Sequence, residues 1–230
     1  MFWVAIILTS AELPMQFRGL EDNMVINVNG LFPGELQPSE TVAGCIDIFE
    51  NAWPNPLETI EMVEAECRNP DSGVSWLRAP TIGKGTKQDD RTNYNIPITA
   101  FAEDTNNLVM QNVHNQMYLL LLASTIPYAV KHSIGSMQHE PYNMLRYRGG
   151  QEYKAHSDDS GLLNRLMSAI CYLNNDYYGG EIEFPNFKIK IKPEPGMLIL
   201  FPSNYAYTHI AHPVTEGTKY GLVTWIKAAQ

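Results

Sequence analysis

The spacing of apolar and polar positions changes near residue 140. Before it, apolar residues recur at helical spacing in two places. Leu57, Ile60, Met62, Val63 and Cys67 fall on roughly one side of Leu57 to Arg68, with acidic positions outside, which predicts an amphipathic helix. Asn69-Pro70-Asp71 stops it, and Trp53-Pro54-Asn55-Pro56 is the turn joining it to a strand in AGCIDIFENAWP. Leu108, Val113, Met117, Leu120 and Leu121 predict a longer helix, capped by Asp104 and running to about Ala123; Pro127 marks a break or a new helix start. Tyr94 to Phe101 reads as a strand, VINVNGLFPGELQPSE as short strands broken by Gly and Pro, and MFWVAIILTS as a strand or early core segment.

After residue 140, short apolar segments recur every eight to twelve residues between Gly, Pro and Asn. They run from NMLRYR through EYKAHSD, LMSAICYLN, EIEFP, FKIKIK, GMLILFPS and YTHIAHPV to KYGLVTWIK. Eight such segments predict a jelly roll of two facing sheets. FKIKIKP alternates: Phe187, Ile189 and Ile191 face inward, and Lys188, Lys190 and Lys192 form a solvated face that resists edge pairing. The fold class is therefore α+β and mainly β, in one domain over 1–230. Residues 1–140 supply N-terminal strands and two longer helices, and 141–230 the jelly-roll core.

Charge narrows the partners. The formal net charge of −9 argues against a nucleic-acid backbone, which needs clustered Lys and Arg. The opening apolar run is too short to span a bilayer, and so is YLLLLA, so no membrane partner is expected. Cys45, Cys67 and Cys171 form no CxxC pair and are odd in number, which fits a reducing, cytoplasmic setting with the thiols as small core residues. Ala79 to Asn93, with two glycines, two lysines and few apolar residues, has the composition of a long surface loop of the kind that serves as a lid.

Candidate chemistry centres on His156-Ser157-Asp158. Residues two apart on a strand share a face, so His156 and Asp158 supply two members of a 2-His-1-carboxylate set for non-haem Fe(II). Asp159 is three from His156 and belongs to the following turn. His209 and His212 compete to be the third ligand; three apart, they cannot both enter the barrel.

The C-terminal half resembles the prolyl 4-hydroxylase-like family of Fe(II)/2-oxoglutarate dioxygenases. Tyr147, Gly150, Tyr153, His156 and Asp158 fit its Y-x-x-G-x-x-Y-x-x-H-x-D line. Arg165 to Asn174 fits its strand ending in Y-L-N, and Gly179-Gly180-Glu181 with Phe184-Pro185 fits G-G-E-x-x-F-P. His209 with Pro213-Val214 fits H-x-x-x-P-V, and Gly217 to Tyr220 the G-x-K-[WY] element after it. The match covers most of the chain, more loosely in the first half through CIDIFENAWPNPLETIEMVE and Arg91-Thr92.

The resemblance implies a double-stranded β-helix and a metal set of His156, Asp158 and His209, with His212 structural. It implies Fe(II), 2-oxoglutarate and O₂, with ascorbate as an accessory reductant. Lys219 is implied to bind the far carboxylate of 2-oxoglutarate, helped by Tyr172 and Tyr147. Counting by twos from Lys219 puts Gly221, Val223 and Trp225 on its face, and Ile170 shares one with Tyr172. An acidic residue at 158, where halogenating relatives have a small one, points to hydroxylation. The implied reaction hydroxylates an unactivated C–H and releases succinate and CO₂. A prolyl residue in a peptide or protein is the leading acceptor; another side chain, a free amino acid or a non-catalytic binding jelly roll are the alternatives. The short Asp159–Asn164 segment disfavours a collagen-type chain. The sequence leaves the oligomeric state open.

Overall fold

The computed structural model describes residues 36–80, 88–104, 107–159, 161 and 163–229. The MFWVAIILTS segment and most of VINVNGLFPGELQPSE lie outside the described residues. The first half contributes strands β1 (Glu40–Val42), β2 (Ile46–Phe49), β3 (Leu77–Arg78) and β4 (Tyr94–Pro97). Its helices are α1 (Pro56–Arg68), α2 (Ile98–Asp104) and α3 (Leu108–Lys131). The jelly roll follows with β5 (Met137–His139), β6 (Asn143–Arg148), β7 (Tyr153–His156), β8 (Arg165–Tyr172) and β9 (Tyr178–Gly179). It continues with β10 (Ile182–Phe184), β11 (Ile189–Ile191), β12 (Leu198–Pro202), β13 (His209–Ala211), β14 (Val214–Glu216) and β15 (Thr218–Ala228).

A larger sheet runs β1-β2-β12-β8-β15-β6-β4-β3, with β5 also paired to β15, and a smaller one runs β11-β10-β13-β7. Their inner faces meet across Tyr172, Ile199 and Phe201 from the larger sheet and Ile182 and Phe184 from the smaller. The helices cover the larger sheet's other face, where Val63, Met110, Val113, Met117 and Leu121 pack with Met144, Met167, Leu198 and Leu222. Central strands are thus buried on both sides, and alternation sorts each residue to one of two cores. On β8, Met167, Ala169 and Cys171 face the helices, while Ile170 and Tyr172 face the partner sheet. On β15, Tyr220, Leu222 and Ile226 face the helices.

The helical half departs from expectation in several places. Leu57 is 56% exposed, and Thr59 and Val63 are the buried positions of α1. The strand at Tyr94 ends at Pro97, and Ile98 begins α2. The long helix starts at Leu108, and Asn107 rather than Asp104 caps it by accepting the Met110 N–H at 3.0 Å. It also passes Pro127 and ends at Lys131. Pro127 leaves the Ala123 carbonyl without its helical donor, and the Leu36 N–H supplies one at 3.3 Å. That tertiary bond lets the helix continue. His114 lies within α3, and His132 is its C-terminal cap. Lys188, Lys190 and Lys192 are all exposed, as the alternation predicts, and Lys192 also donates 3.0 Å bonds to the Tyr177 and Gly179 carbonyls. Only Cys171 of the three cysteines is fully buried. No described helix is long and apolar enough to cross a membrane.

Candidate active site

β7 and β13 are adjacent antiparallel strands of the smaller sheet, and their register sets His156 directly opposite His209. The two rings lie 4.2 Å apart, centroid to centroid. Each is oriented by its own backbone. His156 Nδ1 is 2.7 Å from the Lys154 carbonyl, and His209 Nδ1 is 3.2 Å from the Tyr207 carbonyl. A carbonyl only accepts, so each Nδ1 carries the proton and each Nε2 presents a lone pair. Tyr153 stacks on His156 at 3.4 Å, and Phe201 lies edge-on to His209 at 4.8 Å.

Asp158 completes the group. β7 ends at His156, so Asp158 sits in the turn beyond it rather than on the strand face. Its Oδ1 is still 3.5 Å from His156 Nε2, and its Oδ2 is 3.7 Å from His209 Nε2. Ligating atoms of all three residues fall within 4.8 Å of one another. Burial alone would raise the Asp158 carboxyl. The two imidazoles and the Ser168 hydroxyl outweigh it and hold the group well below the usual range, as the anion. Burial pushes the His209 imidazole down to about 4, keeping it neutral near pH 7. The two Nε2 atoms and the carboxylate therefore converge as the donor set a divalent metal requires. His212 points elsewhere and pairs with Glu183 at 2.6 Å.

The site opens into a cavity with about 540 Å³ of empty space, the solvent at its mouth included. Lys219 lies inside it, 4% exposed and directly opposite Tyr147 in the β15–β6 register. Its Nζ donates 2.6 Å to the Gly180 carbonyl, and it lies 4.9 Å from the Tyr172 ring centroid and 5.4 Å from that of Tyr147. No carboxylate pairs with it among the described residues. Burial, reinforced by Lys192, pushes Lys219 down to about 7. Burial also pushes the Tyr147 phenol up to about 12 and that of Tyr172 well above its ordinary value, so both remain protonated donors. A buried ammonium with one neutral acceptor, flanked by two phenols, fits a carboxylate. Gly180 makes room for it: a Cβ there would lie 2.8 Å from Tyr177 and 3.2 Å from Lys219 Cδ, at a φ of +68°.

Residues 142–227 match the family model of the 2OG-Fe(II) oxygenase superfamily. That matched stretch, 86 of the 230 residues, is similar to the superfamily. The oxygenase domain is prolyl 4-hydroxylase-like. It is 36% identical over 92 residues to a PKHD-type hydroxylase of Synechococcus sp., covering 36% of this chain and 40% of that one. It is 30% identical over 117 residues to "Probable prolyl 4-hydroxylase 9" of Arabidopsis thaliana, covering 38% and 41%. The chain thus spans less than half the length of the curated relatives it matches.

Among solved structures, a prolyl hydroxylase of Trichoplax adhaerens, in complex with a hypoxia inducible factor peptide fragment, superposes at TM-score 0.66. Its identity is 18%, over 80% of this chain and 84% of that one. A viral collagen prolyl hydroxylase of Paramecium Bursaria Chlorella virus-1, in its 2OG complex, superposes at TM-score 0.55 with 22% identity over 81% and 98%. At these identities the likeness is one of fold.

One further cavity residue, Arg91, and two residues that hold Asp158, Arg165 and Ser168, join the site without a site role predicted from sequence. Arg91 is nearly buried; its guanidinium lies 4.9 Å from the Tyr153 ring centroid and donates to Asn93 and the Pro80 carbonyl. Residues 81–87 of the Ala79–Asn93 loop lie outside the described residues. Arg165, anchored to Glu140 by bonds of 2.8 and 2.6 Å, lies 3.8 Å over Trp225 and donates 3.1 Å to the Asp158 carbonyl. Ser168 reaches the Asp158 carboxylate itself. Counting back by twos from Tyr172 would have placed Ser168 on the cavity face; Arg91 and Arg165 offer no such signal.

Proposed function

We propose that the protein is an Fe(II)- and 2-oxoglutarate-dependent dioxygenase that hydroxylates a prolyl residue of a peptide or protein. One observation carries the cosubstrate part: a buried ammonium with no anionic partner among the described residues shares a cavity with two imidazoles and a carboxylate. A metal site alone has no use for Lys219, since an unpaired buried ammonium costs stability unless an anion meets it.

His156, Asp158 and His209 would hold the iron, leaving positions open for cosubstrate and O₂. Bound Fe(II) with 2-oxoglutarate supplies the oxidising chemistry, which consumes O₂ and releases succinate and CO₂. Lys219, with the Tyr147 and Tyr172 hydroxyls, would fix the distal carboxylate and thereby orient the 2-oxo acid end toward the metal. Leu145, Ile170, Val223 and Ala211 make the walls apolar and limit water. The prolyl acceptor is supported by the curated relatives named as prolyl 4-hydroxylases.

The test is turnover of pools of proline-containing peptides with Fe(II), 2-oxoglutarate and ascorbate. Mass spectrometry should show one added oxygen on proline, with matching succinate release. Succinate release stimulated by a proline-free peptide or a free amino acid, with proline untouched, would replace the acceptor while leaving the chemistry.

A further inference from the structure

Of the three metal-facing residues, His156 and His209 stand on paired strands, whereas Asp158 lies in a turn where no ladder fixes its side chain. What fixes it comes from the larger sheet. Ser168 Oγ is 2.6 Å from Asp158 Oδ2 and 2.8 Å from Ser203 Oγ. A carboxylate only accepts, so the Ser168 hydroxyl must donate to it, and the Ser203 hydroxyl must then donate to Ser168. The direction of the chain Ser203 → Ser168 → Asp158 is thus determined.

Both serines are almost fully buried, at 0% and 1% exposed. Ser203 is itself fixed, since its N–H donates to the Leu166 carbonyl at 3.1 Å and its carbonyl accepts the Asp159 N–H at 2.9 Å. The chain therefore grips the turn twice, through the Asp158 side chain and through the next residue's backbone. Oδ2 is thus held by a hydroxyl, whereas Oδ1 faces the other metal-facing group, 3.5 Å from His156 Nε2.

We propose that Ser168, backed by Ser203, is a positioning residue that holds Asp158 by Oδ2 and thereby presents Oδ1 as the ligating oxygen. This rests on the reading of His156, Asp158 and His209 as the metal set. The role explains why two hydroxyls occupy an otherwise apolar inner core, where a side chain of similar size without a hydroxyl would pack at lower desolvation cost.

The experiment titrates the whole chain with Co(II) under anaerobic conditions, without 2-oxoglutarate, recording affinity and visible spectrum. The variants are Ser168→Ala, Ser168→Thr, Ser203→Ala and Asp158→Ala, each checked for folding by circular dichroism. Wild type binds and Asp158→Ala does not. Ser168→Ala should bind about 10- to 100-fold more weakly, the usual cost of losing a partner of a metal ligand, with an altered Co(II) spectrum as the carboxylate reorients. Ser168→Thr, which keeps the hydroxyl, should restore both affinity and spectrum, and Ser203→Ala should show a smaller loss in the same direction. Wild-type affinity and spectrum in folded Ser168→Ala overturn the proposal. Should Ser168→Ala not fold, wild-type Co(II) affinity and spectrum in folded Ser203→Ala overturn it instead. A wild type that binds no Co(II) would refute the metal set itself, a separate failure.

Discussion

Lys219 and Gly180 are joined by a 2.6 Å hydrogen bond from ammonium to carbonyl, and among the described residues that carbonyl is the one oxygen to which Lys219 donates. The ammonium is held in place but not neutralised. Replacing Lys219 with Ala should weaken 2-oxoglutarate binding by about 2–5 kcal/mol, some thirty-fold or more, as truncating a buried charge pair does. Metal affinity measured without cosubstrate should change little. Calorimetric titration of both ligands checks this.

The same residue sets a pH dependence. Below about pH 7 Lys219 is protonated in the folded and unfolded chain alike, and the fold bears the full cost of the buried charge. Between about 7 and its ordinary value of 10.5 the folded chain releases the proton and the unfolded chain does not, so stability contributed by this group rises with pH. Lys219→Met should raise the melting temperature at pH 6 and flatten the pH slope above 7, while 2-oxoglutarate binding is lost. Thermal melts across that range decide it.

Gly180→Ala places a methyl against Tyr177 and Val214 at a φ that L residues rarely adopt. A cost of about 1–3 kcal/mol in denaturant unfolding is expected, together with weaker 2-oxoglutarate binding because the carbonyl that fixes Lys219 moves.

Arg165→Lys keeps the charge but loses the paired bonds to Glu140, the stack on Trp225 and the hold on the Asp158 carbonyl. Turnover should fall more than tenfold, the scale for disturbing a partner of a metal ligand. Steady-state succinate release measures it.

The jelly roll was legible because each of its strands repeats a short apolar unit between turn residues, and the family's motif residues lie on those strands. His209 rather than His212 is the residue that faces His156, and the register across β7 and β13 gives the reason. The helical half was less legible for two reasons. Asp104 and Asn107 are both residues that cap helices, and it is Asn107 that captures the Met110 amide. The Leu36 N–H that satisfies the carbonyl stranded by Pro127 is far off in sequence. Asp158 was assigned to a strand face and instead reaches the same place from a turn, gripped by Ser168. Alternation from Tyr172 already sets Ser168 on the inner face, but the contacts of Arg91 and Arg165 are non-local and became visible only once the sheets were assembled.

The central claim is that one cavity holds Fe(II) and 2-oxoglutarate together, and anaerobic absorption spectroscopy tests it directly. Adding Fe(II) and then 2-oxoglutarate to the folded chain should produce a visible metal-to-ligand charge-transfer band that saturates at one equivalent of metal and is absent in Asp158→Ala. In Lys219→Ala the band should appear only at much higher 2-oxoglutarate. A folded wild-type chain that shows no band at saturating concentrations of both would contradict the account.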